Sequence, residues 1–187
     1  MGETSIERWC LYLRRAEALY ALIAAHNGGE QGVAGTNWAF RKLAANSADV
    51  IDFSLNCDRN SVEPQYLKQK FGAFGAAYGS QLIEIGILVY VSGHGVPVTT
   101  EGVGDKLALA FTESIGELGN AFLLAAERGL VSRIELEQLR PMLPSQIGGS
   151  SQERLLYQGL LFAREGKKDG NAEARRLWAV LPASRFQ

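Results

Sequence analysis

Ile87-Leu88-Val89-Tyr90-Val91-Ser92-Gly93-His94-Gly95-Val96-Pro97-Val98-Thr99 is the stretch that decides the fold. Ile87 to Val91 is apolar and mostly β-branched, the composition of a strand. Ser92-Gly93-His94-Gly95 is turn chemistry, and Val96 to Thr99 returns as a second strand. Pro97 cannot donate to a ladder, so it belongs on an edge. A hairpin alone is marginal in water and needs a helix against it. After Thr100, Val103, Leu107, Ala110, Phe111 and Ile115 share a helical face. Before it, a helix from about Ala76 to Ile85 leads into Gly86.

Working outward, the remaining pattern is helical. Thr4-Ser5-Ile6-Glu7 fits a capping box, and Ile6, Trp9, Leu13, Ala16, Tyr20 and Ile23 line one stripe. Glu7, Arg8, Arg14 and Arg15 mostly fall off that stripe. His26-Asn27-Gly28-Gly29 ends the helix, with His26 placed to cap its carbonyl end. Thr36 opens a second helix reaching about Asn46. Val50 to Leu55 alternates apolar and polar, which predicts a short strand. Pro64 to Phe71 reads as a third helix with proline at its first position, and Gly72 and Gly75 interrupt it. Gly116 and Gly119 mark a joint. Beyond it come a helix from Leu118 stopped by Gly129, and a capping box at Ser132-Arg133-Ile134-Glu135. A leucine-rich helix from about Ser151 and a last one from Ala172 to Leu181 follow. The prediction is a mainly α protein with one small hairpin sheet: a domain over 1–115 and a helical extension over 116–187.

The chain has 187 residues, 47% hydrophobic and 21% charged, which suits one domain with an appendage. Collagen, a disulfide scaffold and wholesale disorder are excluded. The net charge is -1, so bulk positive charge does not drive nucleic-acid binding. Residues 1–115 carry nine Lys or Arg against twelve Asp or Glu, and residues 116–187 ten against eight. Cys10 and Cys57 form no CxxC pair and read as reduced thiols, although a disulfide between them stays open. Met1-Gly2-Glu3-Thr4 is polar, so no signal peptide is expected. No run of about 18 apolar residues predicts a membrane span. A cytoplasmic location is the expectation.

Tyr78-Gly79-Ser80-Gln81-Leu82-Ile83-Glu84-Ile85-Gly86-Ile87-Leu88, the hairpin, then Val98-Thr99-Thr100-Glu101-Gly102 and Leu107 to Phe111 resemble a winged-helix domain. In that family a helix ends at a glycine, a strand follows, a wing turns back, and a threonine-led helix covers the sheet. The resemblance spans about Thr36 to Ile115 and implies a winged-helix-like core. The longer frame, through Tyr66 to Gly75, Arg154-Leu155-Leu156 and Arg175-Arg176-Leu177-Trp178, is similar to bacterial proteins of phage-defence and other conflict loci.

A winged helix lays the helix before its hairpin in the major groove, with Lys and Arg on phosphates. Here that helix carries Tyr78, Ser80, Gln81 and Glu84, and Gln81 alone suits a base edge. The wing offers only His94. The nearest cations are Arg41, Lys42, Arg59, Lys68 and Lys70; Arg175 and Arg176 lie beside Trp178, where a base could stack. These nine polar residues are the nucleic-acid candidates, although Lys68 and Lys70 also read as a solvated face. Phe71, Phe74, Tyr78 and Trp178 are the protein-interface candidates, although the first three, at helical spacing, read more simply as core.

Catalysis finds little support. Ser92 and His94 lack a third orienting group and a nucleophile elbow. Asp49, Asp52, Asp58 and Glu63 cluster in sequence, yet the two cysteines and two histidines are not at ligand spacing, so no metal and no cofactor are expected. Gly102-Val103-Gly104-Asp105-Lys106 lacks the residues of a phosphate loop. The expectation is a non-catalytic subunit or adaptor of a bacterial nucleic-acid-processing or phage-defence complex, binding partner protein and touching DNA. Homodimerisation stays open. The alternatives are a winged-helix transcriptional regulator and a small nuclease or hydrolase.

Overall fold

A computed structural model describes residues 6–149 and 151–162. Its secondary structure is mainly helical, with two small antiparallel sheets. Contacts divide it into two units. The first comprises the chain up to Tyr78 together with Ile115–Ile147; the second comprises Gly79–Ser114 and the described residues from Gly148 onward.

The first unit is built around helix α1, Ile6–His26. Its second half, Ala18 to Ala25, is buried except for Tyr20. A helix apolar on nearly all sides must be surrounded. Four helices pack against α1: α2 (Thr36–Ala45), α3 (Ser54–Cys57), α6 (Leu118–Arg128) and α7 (Arg133–Gln138). Asn27, rather than His26, ties off the end of α1: its amide donates to the Ile23 carbonyl at 2.8 Å. The first-turn box at Thr4 falls outside the described residues. Gly35 precedes α2 with φ 84°, a conformation open to glycine, and a Cβ there would overlap the Tyr66 ring.

The strand expected over Val50–Leu55 is confined to β1, Val50–Asp52, because Ser54 turns into α3. The partner of β1 is β4, Leu130–Ser132, a strand absent from the sequence reading. They pair antiparallel with Ile51 opposite Val131, and both of these side chains are buried. Bonds from Phe53 N–H to the Gly129 carbonyl and from Arg133 N–H to the Asp49 carbonyl, each 2.9 Å, continue the ladder. The capping box forms as its sequence predicts: the Ser132 hydroxyl accepts from the Glu135 amide, and the Glu135 carboxylate accepts from the Ser132 amide.

Residues 64–71 do not form the expected helix. The chain from Asp58 to Phe71 is irregular, and Arg14 of α1 donates to its Leu67 and Gln69 carbonyls. The helix begins later: a π-helical turn at Phe74–Tyr78 runs into α4, Gly79–Glu84.

In the second unit, α4 stops at Gly86 and the chain enters the hairpin of β2 (Leu88–Tyr90) and β3 (Pro97–Thr99). Leu88 pairs with Thr99, Val89 with Val98 and Tyr90 with Pro97. Thr100 joins hairpin to helix. Its hydroxyl donates to the Gly86 carbonyl at 2.6 Å and accepts from the Gly104 amide at the start of α5, Val103–Ile115. Helix α8, Gln152–Phe162, completes the described part, where Glu153 accepts from the Ser114 hydroxyl at 3.0 Å. Among the described residues no single helix is long and apolar enough to cross a membrane.

Candidate functional site

One turn of α1 organises the site. Arg14 is 1% exposed, although it falls off the apolar stripe of its helix. Its guanidinium cannot be stripped of hydrogen bonds in an interior without a large penalty. All three nitrogens find carbonyls of the facing chain: Nε donates to Cys57 at 2.8 Å, Nη1 to Gln69 at 2.5 Å and Nη2 to Leu67 at 2.7 Å. One turn on, Glu17 does the complementary job. Its Oε2 accepts from the Ala73 amide at 2.8 Å and its Oε1 from the Phe74 amide at 2.7 Å. These are first-turn amides of the helix that continues into α4, which have no backbone partner of their own. Gly72, with φ 57°, makes the approach possible, since a Cβ there would strike the Glu17 carboxylate.

Burial shifts the titrations. It raises Glu17 above the usual carboxylate value, against the opposing pull of the two amides and of Arg14. It lowers Arg14 from the usual arginine value. Tyr66 is raised, first by burial and then by the Glu17 charge. Cys57 is pushed up to about 12 by burial; its thiol donates weakly to the Arg14 carbonyl at 3.6 Å. Cys10 and Cys57 are both buried free thiols, which closes the disulfide question.

Beside Glu17 lies a solvent-open cavity of about 410 Å³, lined entirely by the first unit. Ala16, Glu17 and Tyr20 supply one wall, Gln31 to Ala34 another, and Tyr66, Ala73, Tyr78, Phe122 and Pro144 the rest. The tyrosines are anchored by their hydroxyls. Tyr66 donates to the Ala34 carbonyl at 3.1 Å and Tyr20 to the Met142 carbonyl at 2.9 Å. Tyr78 donates to the Gly32 carbonyl at 2.8 Å and accepts from the Ala34 amide. Trp38 braces the Tyr66 ring edge-on, 5.2 Å between centroids.

The structure scatters the sequence candidates. Arg41, Arg59, Lys68, Lys70, Gln81 and His94 are exposed, and Lys42 is half-buried. Lys70 lies 5.3 Å from the Phe71 ring centroid. Phe71 and Phe74 are half-buried and each meets Trp9 edge-on at 6.0 Å. Tyr78 faces the cavity. Arg175, Arg176 and Trp178 lie outside the described residues. Asp52 and Asp58 accept amides of their own turns, from Ser54 and Asn60. No group of three or more acidic, histidine or cysteine side chains gathers among the described residues.

Arg14 and Glu17 were missed, yet a signal was present. Arg14 interrupts the row Cys10, Arg14, Ala18, Leu22, otherwise apolar, and Glu17 sits between Leu13 and Ala21 in the next row. A charge inside an apolar row is either solvated by a bend in the surface or paired in the interior. Only the fold decides which. No family model, curated protein or solved structure matches this chain.

Proposed function

We propose that this chain is a non-catalytic adaptor that docks a partner protein through the hairpin of its second unit. The observation that carries this reading is the exposure of three consecutive apolar side chains, Val89, Tyr90 and Val91, at 40%, 57% and 44%. Leu109 on α5, in the same unit, is also exposed at 59%. Apolar side chains left in water at one hairpin favour association, and tyrosine is a preferred anchor of interfaces. The helix before the hairpin offers Ser80, Gln81 and Glu84 to solvent, and no Lys or Arg occurs between Lys70 and Lys106. Phosphate binding therefore has no cation to rest on there.

The test is capture of tagged chain from its host, with chemical cross-linking and mass spectrometry. The wild type is expected to retain a stoichiometric partner cross-linked near the hairpin. Tyr90→Glu, at an exposed position, is expected to reduce that capture by about tenfold or more while folding normally. A gel-shift titration at two salt concentrations runs beside it. Tight binding of a specific duplex by the isolated chain overturns the reading.

A further inference from the structure

We propose that the cavity of the first unit is a binding site for a small organic cation, an alkylated ammonium head held among aromatic rings and facing Glu17. The inference goes beyond the adaptor reading and does not depend on it. Four aromatic residues converge on the cavity from separate elements: Tyr20 from α1, Tyr66 from the irregular loop, Tyr78 from the π-helical turn and Phe122 from α6. Aromatic faces carry negative charge density and attract a cation, also at a site open to water. The volume of about 410 Å³ falls in the range of small-ligand sites, roughly 300–1,000 Å³.

The remaining chemistry narrows the class. Alanine, valine and proline make up much of the wall, so the occupant is largely hydrocarbon. Glu17 is the one ionisable carboxyl among the lining residues, and each of its oxygens keeps a lone pair beyond the amide it accepts. Arg14, its neighbour on α1, aims its nitrogens at the carbonyls of Cys57, Leu67 and Gln69 rather than at Glu17. The three tyrosine hydroxyls donate to backbone carbonyls, so each proton is already committed. An anion would meet the carboxylate, and a neutral occupant would gain no charge attraction from it. A cation satisfies both the carboxylate and the rings.

The groups that act on Glu17 are Arg14 on its own helix and the amides of Ala73 and Phe74, and the Glu17 charge in turn raises Tyr66 and Cys57 from the facing chain. A bound cation favours the ionised carboxylate that burial disfavours, so affinity is expected to rise with pH through the Glu17 titration.

The test is isothermal titration calorimetry of the full chain with two probes of the same shape. One is choline; the other is 3,3-dimethylbutan-1-ol, in which carbon replaces the charged nitrogen. Choline is expected to saturate with a Kd of about 1 mM or tighter, and to bind about tenfold or more tightly than the alcohol. Phe122→Leu removes a ring but no hydrogen bond, and is expected to weaken choline about fivefold while changing the alcohol less than about twofold. Glu17→Gln is expected to reduce the preference for choline, leaving the part due to the rings. Because Glu17 also holds a helix start, Phe122→Leu decides the matter if Glu17→Gln fails to fold. Equal affinity for the two probes, absence of saturable choline binding, or choline affinity unchanged by Phe122→Leu overturns the proposal.

Discussion

Replacing Arg14 by methionine tests the interior of the first unit most directly. Methionine keeps a long flexible side chain and removes the cation together with its three hydrogen bonds, to Cys57, Leu67 and Gln69. A hydrogen bond to a charged group contributes about 1.5–3 kcal/mol. The full set does not appear as lost stability, because the substitution also relieves the desolvation of the guanidinium, which costs several kcal/mol. The Cys57 carbonyl is buried with its bond, whereas the Leu67 and Gln69 carbonyls are partly within reach of water. Leaving the buried Cys57 carbonyl without its donor costs about 1–3 kcal/mol, and the two partly buried carbonyls add less. Urea unfolding followed by circular dichroism is therefore expected to show a loss of about 3 kcal/mol. That is a large share of the roughly 5–15 kcal/mol that holds a domain together. The neighbouring Arg15→Met is the control. Arg15 makes one exposed bond, to the Glu127 carbonyl at 2.6 Å, and its buried Nε has no partner. Its loss is expected to cost about 1 kcal/mol or less. If Arg14→Met also cost less than about 1 kcal/mol, the loop would not be held by Arg14 and the account of residues 58–71 would fall.

Three further outcomes follow from particular contacts. Ile51→Ala, at a fully buried position paired with Val131, is expected to cost about 2–5 kcal/mol in the same unfolding assay, and Val50→Ala, on the exposed face, less than about 1; equal losses would mean that the register of β1 on β4 is wrong. At Glu135, burial pushes the carboxyl up, but hydrogen bonds from the Ser132 amide, Arg128 and the Ser132 hydroxyl outweigh it and hold the pKa below the usual 4.5. The advantage of wild type over Glu135→Gln is therefore complete above about pH 4.5 and is lost as pH falls through the lowered value, which unfolding measured from pH 7 to pH 3 would reveal. Cys57, with its thiol raised to about 12, and buried Cys10 are expected to resist iodoacetamide at pH 8 in native protein and to react fully in urea, by mass spectrometry; rapid native labelling of Cys57 would contradict its burial.

Local signals in the chain were read correctly where the structure they specify is local. The hairpin of β2 and β3 carries its own turn between two short apolar runs, and it forms where the sequence places it. The capping box at Ser132 and Glu135 spans four residues and needs nothing else. The strand at Val50 is different. Its partner, Leu130–Ser132, lies about eighty residues away, and three residues leave too short a pattern to be recognised as a strand. The cavity was equally hidden. Tyr20, Tyr66, Tyr78 and Phe122 meet only because distant segments pack on α1, and no spacing along the chain announces it.

The failed expectation over Pro64–Phe71 exposes the physics most clearly. Proline at an N-terminal position and apolar residues at helical spacing do favour a helix there, but that preference is worth only tenths of a kcal/mol per residue. Arg14 offers the Leu67 carbonyl a charged donor, a stronger partner than a backbone amide at the edge of a short helix, and adds a second donor to the Gln69 carbonyl, which also accepts the Gly72 amide. Glu17, three residues later on the same face, offers an acceptor to the amides where the next helix does begin. The two charges act as a pair of opposite polarity: the cation suits a segment running past with its carbonyls inward, and the anion suits a helix start with its amides inward. Reversing them should fail at both places, because a carboxylate would face carbonyls and a guanidinium would face amides. An Arg14→Glu, Glu17→Arg double variant is therefore expected to lose at least as much stability as the worse single change, without the mutual rescue that a simple ion pair shows on exchange. Recovery of wild-type stability in the exchanged variant would reduce the two residues to a salt bridge and remove their role in placing the helix start.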